Sequence, residues 1–135
     1  MSEALKNKPR PGPMSLLDAT SYRLPLAAKV SILHRASGML MCLLLPFVLF
    51  LLDKSLATQE QFASFHAVFA HPVAKVLIVA LVWAYLHHFC AGVRHLIMDF
   101  HIGLDKESGK KSASLVFAIS LSLTALIGLK LFGVF

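Results

Sequence analysis

Three stretches without a single Asp, Glu, Lys or Arg, residues 36–52, 76–93 and 112–129, are each 17 or 18 residues long and decide what this chain can fold into. A helix needs about 20 residues to cross ~30 Å of hydrocarbon, and each run can borrow a turn from its flanks. A buried core helix of a water-soluble protein would be shorter and would carry a polar face, which residues 76–84 and 115–131 hardly show. The chain has only 135 residues, of which 57% are hydrophobic, and its mean hydropathy is +0.72. So short a chain cannot hide that much apolar surface from water, whereas a bilayer does not require it to. The expectation is an all-α membrane protein forming one domain over residues 1–135. It comprises a leader at 1–29 and three transmembrane helices near 30–53, 73–99 and 112–133. A cleaved signal peptide is not expected, because the first apolar run begins about thirty residues in and no small-residue cleavage site follows it.

Orientation follows from the cations. Lys6, Lys8, Arg10, Arg23 and Lys29 precede the first helix, Arg35 stands in its first turns, and Arg94, Lys106, Lys110 and Lys111 surround the second connection. Only Lys54 and Lys75 flank the first connection, and only Lys130 lies near the C-terminus. Basic residues collect on the cytoplasmic side, which places the N-terminus and the second connection there. The net charge of +6 is accounted for by this topology, and no basic stripe with interleaved aromatics speaks for nucleic acid. Cys42 and Cys90 both fall inside expected helices without CxxC or CxxCH spacing, which argues against zinc and covalent haem attachment and for free thiols.

Punctuation along the chain is consistent with this plan. Residues 14–26 mix apolar and polar side chains without clean periodicity, as a surface-lying or partner-docking segment would. Pro25 suits the start of the first helix, and Pro46 falls within it and should kink it. Thr58 and Gln61 have capping-box spacing for a short helix from Gln59 to about Ala70, with Phe62, Phe65 and Phe69 on one face. Pro72 restarts the chain into the second long helix, and residues 103–111 form a short polar connection.

Ionisable groups at membrane depth are costly and mark a pathway or a bound group. At 100° per residue, His88, Gly92, His95 and Asp99 form one stripe down the cytoplasmic half of the second helix. A neutral imidazole is a good axial ligand for haem iron, and a glycine one turn away leaves room for a flat macrocycle. His87 points about 100° away and is the weaker candidate. On the first helix Ser31, Arg35, Gly38 and Cys42 share a face with His34 at its edge. The two polar stripes lie at the same membrane surface if the helices pack as antiparallel neighbours. A hydroxyl and a guanidinium there suit a quinone carbonyl or a haem carboxylate. Arg94 and Asp99 read as an interfacial ion pair.

These residues carry a specific resemblance. Ser31, His34, Arg35 and Ser37 form S-x-x-H-R-x-S, and His88, Gly92, Val93, Arg94, His95, Leu96, Met98 and Asp99 form H-x-x-x-G-V-R-H-L-x-M-D. The chain resembles the cytochrome b membrane anchor of bacterial succinate dehydrogenase over nearly its whole length. The Arg-Pro of that family corresponds to Arg10-Pro11, set further from the first motif than in the family. The resemblance implies that His88 is an axial ligand of haem b, the second ligand coming from a companion anchor subunit. It also implies that Ser31 and Arg35 line a ubiquinone site, and that His34, Arg35 and His95 neighbour the haem propionates. Succinate oxidation would then occur in a flavoprotein subunit, with electrons reaching quinone through an iron-sulfur subunit, at the bacterial inner membrane. Two rivals remain: the anchor of a fumarate reductase using menaquinone, and a haem-free membrane scaffold.

Overall fold

The computed structural model describes residues 23–134, which form four helices. In chain order they are α1 (Leu26–Ala57), α2 (Gln59–Ala70), α3 (Pro72–Asp99) and α4 (Lys106–Leu131). Arg10-Pro11 and most of the segment expected at the membrane surface lie outside the described residues. Helices α1, α3 and α4 are each long and apolar enough to cross a membrane. They pack on one another, and α2 lies against α1 and α3.

Single residues both end one helix and begin the next. Thr58 is extended, stopping α1, and its Oγ1 accepts from the Gln61 amide at 3.2 Å, capping α2. His71 repeats the device between α2 and α3, its Nδ1 accepting from the Val73 amide at 3.3 Å beside Pro72 in the first turn. At the start of α1, Pro25 is the cap residue itself, one position ahead of the helix, and its carbonyl receives the amides of Ala28 and Lys29. Pro46 sits inside α1. Its ring nitrogen has no hydrogen to donate, so one carbonyl of the preceding turn goes without its helical partner.

The α3–α4 connection is tighter than the polar composition of residues 103–111 led us to expect. His101 and Gly103 turn the chain with φ of 61° and 71°, and Asp105 Oδ2 caps α4 by accepting from the Ser108 amide at 2.9 Å. Those Ser108 hydrogen bonds hold the Asp105 carboxyl below its usual range. Helix α4 therefore starts at Lys106, ahead of the position 112 inferred from the charge-free run. Its first turns are hydrophilic and are tied by the Lys111–Glu107 pair at 2.9 Å. Charge delimits the hydrocarbon-facing part of a helix, not the helix.

The core is small and lies toward the end of the bundle that carries the α3–α4 turn. Val30, Ala91, Ala113 and Val116 are buried together, flanked by Leu26, Ala27, Cys90 and Phe117. Along α4 the buried positions are Ala113, Val116, Ser120, Thr124 and Gly128, and along α3 Ala84, His87, Ala91 and Arg94. Small residues at these positions let the backbones approach, which is how helices associate where lipid removes the hydrophobic drive. The two hydroxyls in the α4 stripe are satisfied within their own helix, Ser120 Oγ donating to Phe117 O and Thr124 Oγ1 to Ser120 O. By contrast Leu43, Leu56 and Leu77 remain 60–76% exposed. In water so large an apolar surface would aggregate; against acyl chains it costs nothing.

Candidate functional site

The polar stripes of α1 and α3 do meet. The His34 ring stacks on His88 with centroids 4.1 Å apart and planes 16° from parallel, and it lies 5.1 Å from His95. Three imidazoles thus form one cluster between α1 and α3, at the end of the bundle where α1 begins and α3 ends. Among the described residues no three metal-ligating side chains converge as a cage. The rings lie side by side or tilted instead.

The geometry fixes the protonation of His88. Its Nδ1 lies 3.0 Å from the backbone carbonyl oxygen of His34 and 3.2 Å from Ser37 Oγ. A carbonyl oxygen only accepts, so Nδ1 carries the proton and donates. The Ser37 hydroxyl in turn donates to the same His34 carbonyl at 3.0 Å, leaving its oxygen to accept from Nδ1. In a neutral imidazole so held, Nε2 keeps its lone pair, which is the arrangement a metal-ligating histidine has. Gly38 provides the space. A Cβ there would lie 2.7 Å from His88 Cε1, closer than real Cβ contacts come.

Ser31 is half-buried and Arg35 exposed, one turn apart on α1. Gly92, expected to make room for a macrocycle, has His34 Nε2 as its neighbour, 3.5 Å from where a Cβ would stand. His87 is apart from the cluster. It is 1% exposed in the three-helix core, with ring centroids 5.5 Å from Trp83 and 5.2 Å from Phe117, and neither ring nitrogen has a hydrogen-bond partner among the described residues.

One expected contact is replaced by another. Arg94 does not pair with Asp99, which is exposed; its Nε donates to Ser112 Oγ on α4 at 2.9 Å, and the side chain is 7% exposed. The physical reason is rotational. Arg94 continues the buried Ala84, His87, Ala91 line of α3, whereas Asp99 lies on the His88 and His95 stripe. Ser37 and Gly38 are the functional positions sequence reasoning passed over beyond their place in a motif and on a face. Small residues three and four positions after His34 were the available signal.

The sequence profile described as succinate dehydrogenase/fumarate reductase transmembrane subunit matches residues 6–127. Individual proteins agree. The succinate dehydrogenase cytochrome b556 subunit of Coxiella burnetii is 34% identical over 113 residues, covering 83% of this chain and 90% of that protein. Its counterpart from Paracoccus denitrificans is 32% identical over 105 residues, covering 78% and 81%, and that of Rickettsia felis is 28% identical over 108 residues. With three membrane-spanning helices and a match running across all of them, this chain belongs to the succinate dehydrogenase/fumarate reductase transmembrane-subunit family, as a cytochrome b anchor subunit.

Proposed function

We propose that this chain binds haem b through His88 and forms part of the quinone-reduction site of a succinate dehydrogenase. The observation that carries this reading is the Nδ1 hydrogen of His88 held by the His34 carbonyl and Ser37, which leaves Nε2 free to ligate. The donor set fits the group: one fixed imidazole from this chain, with the second axial histidine from a companion anchor subunit. Bound there, haem supplies a one-electron store of tunable potential.

The roles of the chain's own residues follow. The His34 carbonyl and Ser37 orient the His88 ring. His34 and His95 stand where cationic or hydrogen-bonding groups meet propionates, and Arg35 adds a permanent charge. For quinone, the Ser31 hydroxyl donates to one carbonyl oxygen and Arg35 stabilises the negative charge that builds as electrons arrive. An iron-sulfur subunit delivers those electrons from a flavoprotein subunit that oxidises succinate, so this chain is a non-flavin part of the enzyme. The cation distribution supports a cytoplasmic N-terminus and α3–α4 turn, and the membrane we propose is a bacterial inner membrane. The succinate dehydrogenase name of the relatives reported above favours a succinate dehydrogenase over a fumarate reductase, and we take ubiquinone as its acceptor.

The test is a pair of variants in the purified complex. His88→Ala removes the b-type absorption band or converts it from low-spin, while Arg35→Ala keeps the band and slows succinate-driven quinone reduction. An unchanged low-spin spectrum in His88→Ala overturns the ligand assignment, and a normal rate in Arg35→Ala overturns the quinone role.

A further inference from the structure

On the side of α3 away from the histidines, a crevice of about 460 Å³ runs between α3 and α4. Phe89, Val93 and Ile97 form one wall and Leu115 and Ile119 the other. The eight steps from Phe89 to Ile97 rise about 12 Å along the helix, against ~15 Å for a single leaflet. Arg94 also lines it.

That arginine is the anomaly. It is more than nine-tenths buried at membrane depth, its one side-chain partner is the neutral Ser112 hydroxyl, and no carboxylate pairs with it among the described residues. A guanidinium so placed needs an anion, because removing a charge from water without a counter-charge is strongly unfavourable. The quinone and haem site does not supply one, since Arg94 lies on a different face of α3 from His88.

We propose that the crevice holds an acyl chain of an anionic phospholipid whose phosphate pairs with Arg94. The shape suits a chain, because apolar side chains wall the crevice along its length. The charge favours an anionic lipid. A phosphate takes the guanidinium's remaining donors in a charge-assisted fork, and Lys106 and Lys110 stand at the same end of α4 to meet a second negative group. The relevant leaflet is the one on the α3–α4 side of the membrane.

The experiment uses the whole complex, washed in neutral detergent and then exposed to nanodiscs of phosphatidylcholine with or without phosphatidylglycerol. Retained lipid is counted by native mass spectrometry. Wild type should retain phosphatidylglycerol over phosphatidylcholine. Arg94→Gln should lower that retention about tenfold or more, the loss of a charge-assisted hydrogen bond, while Arg94→Lys keeps most of it. Val93→Trp fills the crevice without touching the guanidinium and should give the same loss, so the proposal does not depend on Arg94→Gln folding. Equal retention of the two lipids by wild type, or undiminished retention in Val93→Trp, overturns the proposal. So does a Leu115→Cys variant that crosslinks to a neighbouring protein chain, which would assign the crevice to a subunit.

Discussion

The seam between α3 and α4 and the seam between α1 and α3 solve opposite problems. The first is lined by Ala91, Ala113, Ser120 and Gly128, and the hydroxyls of Ser120 and Thr124 bond back to their own backbone. The second is built from rings. His34, His88 and His95 cluster there, Gly38 leaves room for the His88 ring, and His88 Nδ1 bonds across to the His34 carbonyl and to Ser37 Oγ. A seam of small residues holds two helices together. A seam of fixed imidazoles holds two helices in order to present something.

Variants can break that contrast in order of effect. The largest belongs to Gly38→Val. Its branched Cβ collides with His88 Cε1, and because that ring is held by two hydrogen bonds, it must leave its place. The expected outcome is loss or distortion of the b-type spectrum with helix content by circular dichroism intact. Next is Ser120→Leu in the other seam. Overpacking a fully buried position costs about 1–3 kcal/mol, read as a lower unfolding temperature with the spectrum unchanged up to unfolding; a changed spectrum would mean the two seams are coupled. Smaller again is His87→Phe. Its ring nitrogens have no hydrogen-bond partner among the described residues, so an apolar ring of similar shape should leave stability level or raised by less than about 2 kcal/mol. A lost haem band in that variant would show that His87 belongs to the site after all.

The smallest effect is at Asp105. Its carboxyl is held below the usual range by Ser108, so the cap contributes above the carboxyl's unfolded-state pKa and is lost as pH falls through the lower, folded value. Asp105→Ala should therefore lose slightly more α4 amide protection at neutral pH than in acid, measured by hydrogen exchange. Asp105→Asn, which does not titrate, should give the same protection at both pH values.

How far this arrangement could be read beforehand differs by residue. The three spans were legible because charges mark the limits of hydrocarbon, and α2 because Thr58 and Gln61 are a local signal. The meeting of His34 with His88 was legible from topology, since the end of α3 and the start of α1 must share a membrane face. The partner of Arg94 was not, because choosing Ser112 over Asp99 depends on the rotation of α3 against α4, which no local pattern encodes. Nor was the start of α4, whose polar turns look like a loop to any criterion built on hydrophobicity. The two bonds at His88 Nδ1 belong to the same class: one requires a backbone carbonyl of another helix, invisible in a string of side chains, and the other follows from the register it sets.

Those two bonds have a consequence in time as well as in space. A free imidazole samples several rotamers and two tautomers, and selecting one on binding costs about 0.5–1.5 kcal/mol per immobilised side chain. Here the selection is completed when α1 closes on α3, so the cost falls on folding rather than on capture of the ligand. Under the proposed function, this chain brings its ligand ring to the complex already set.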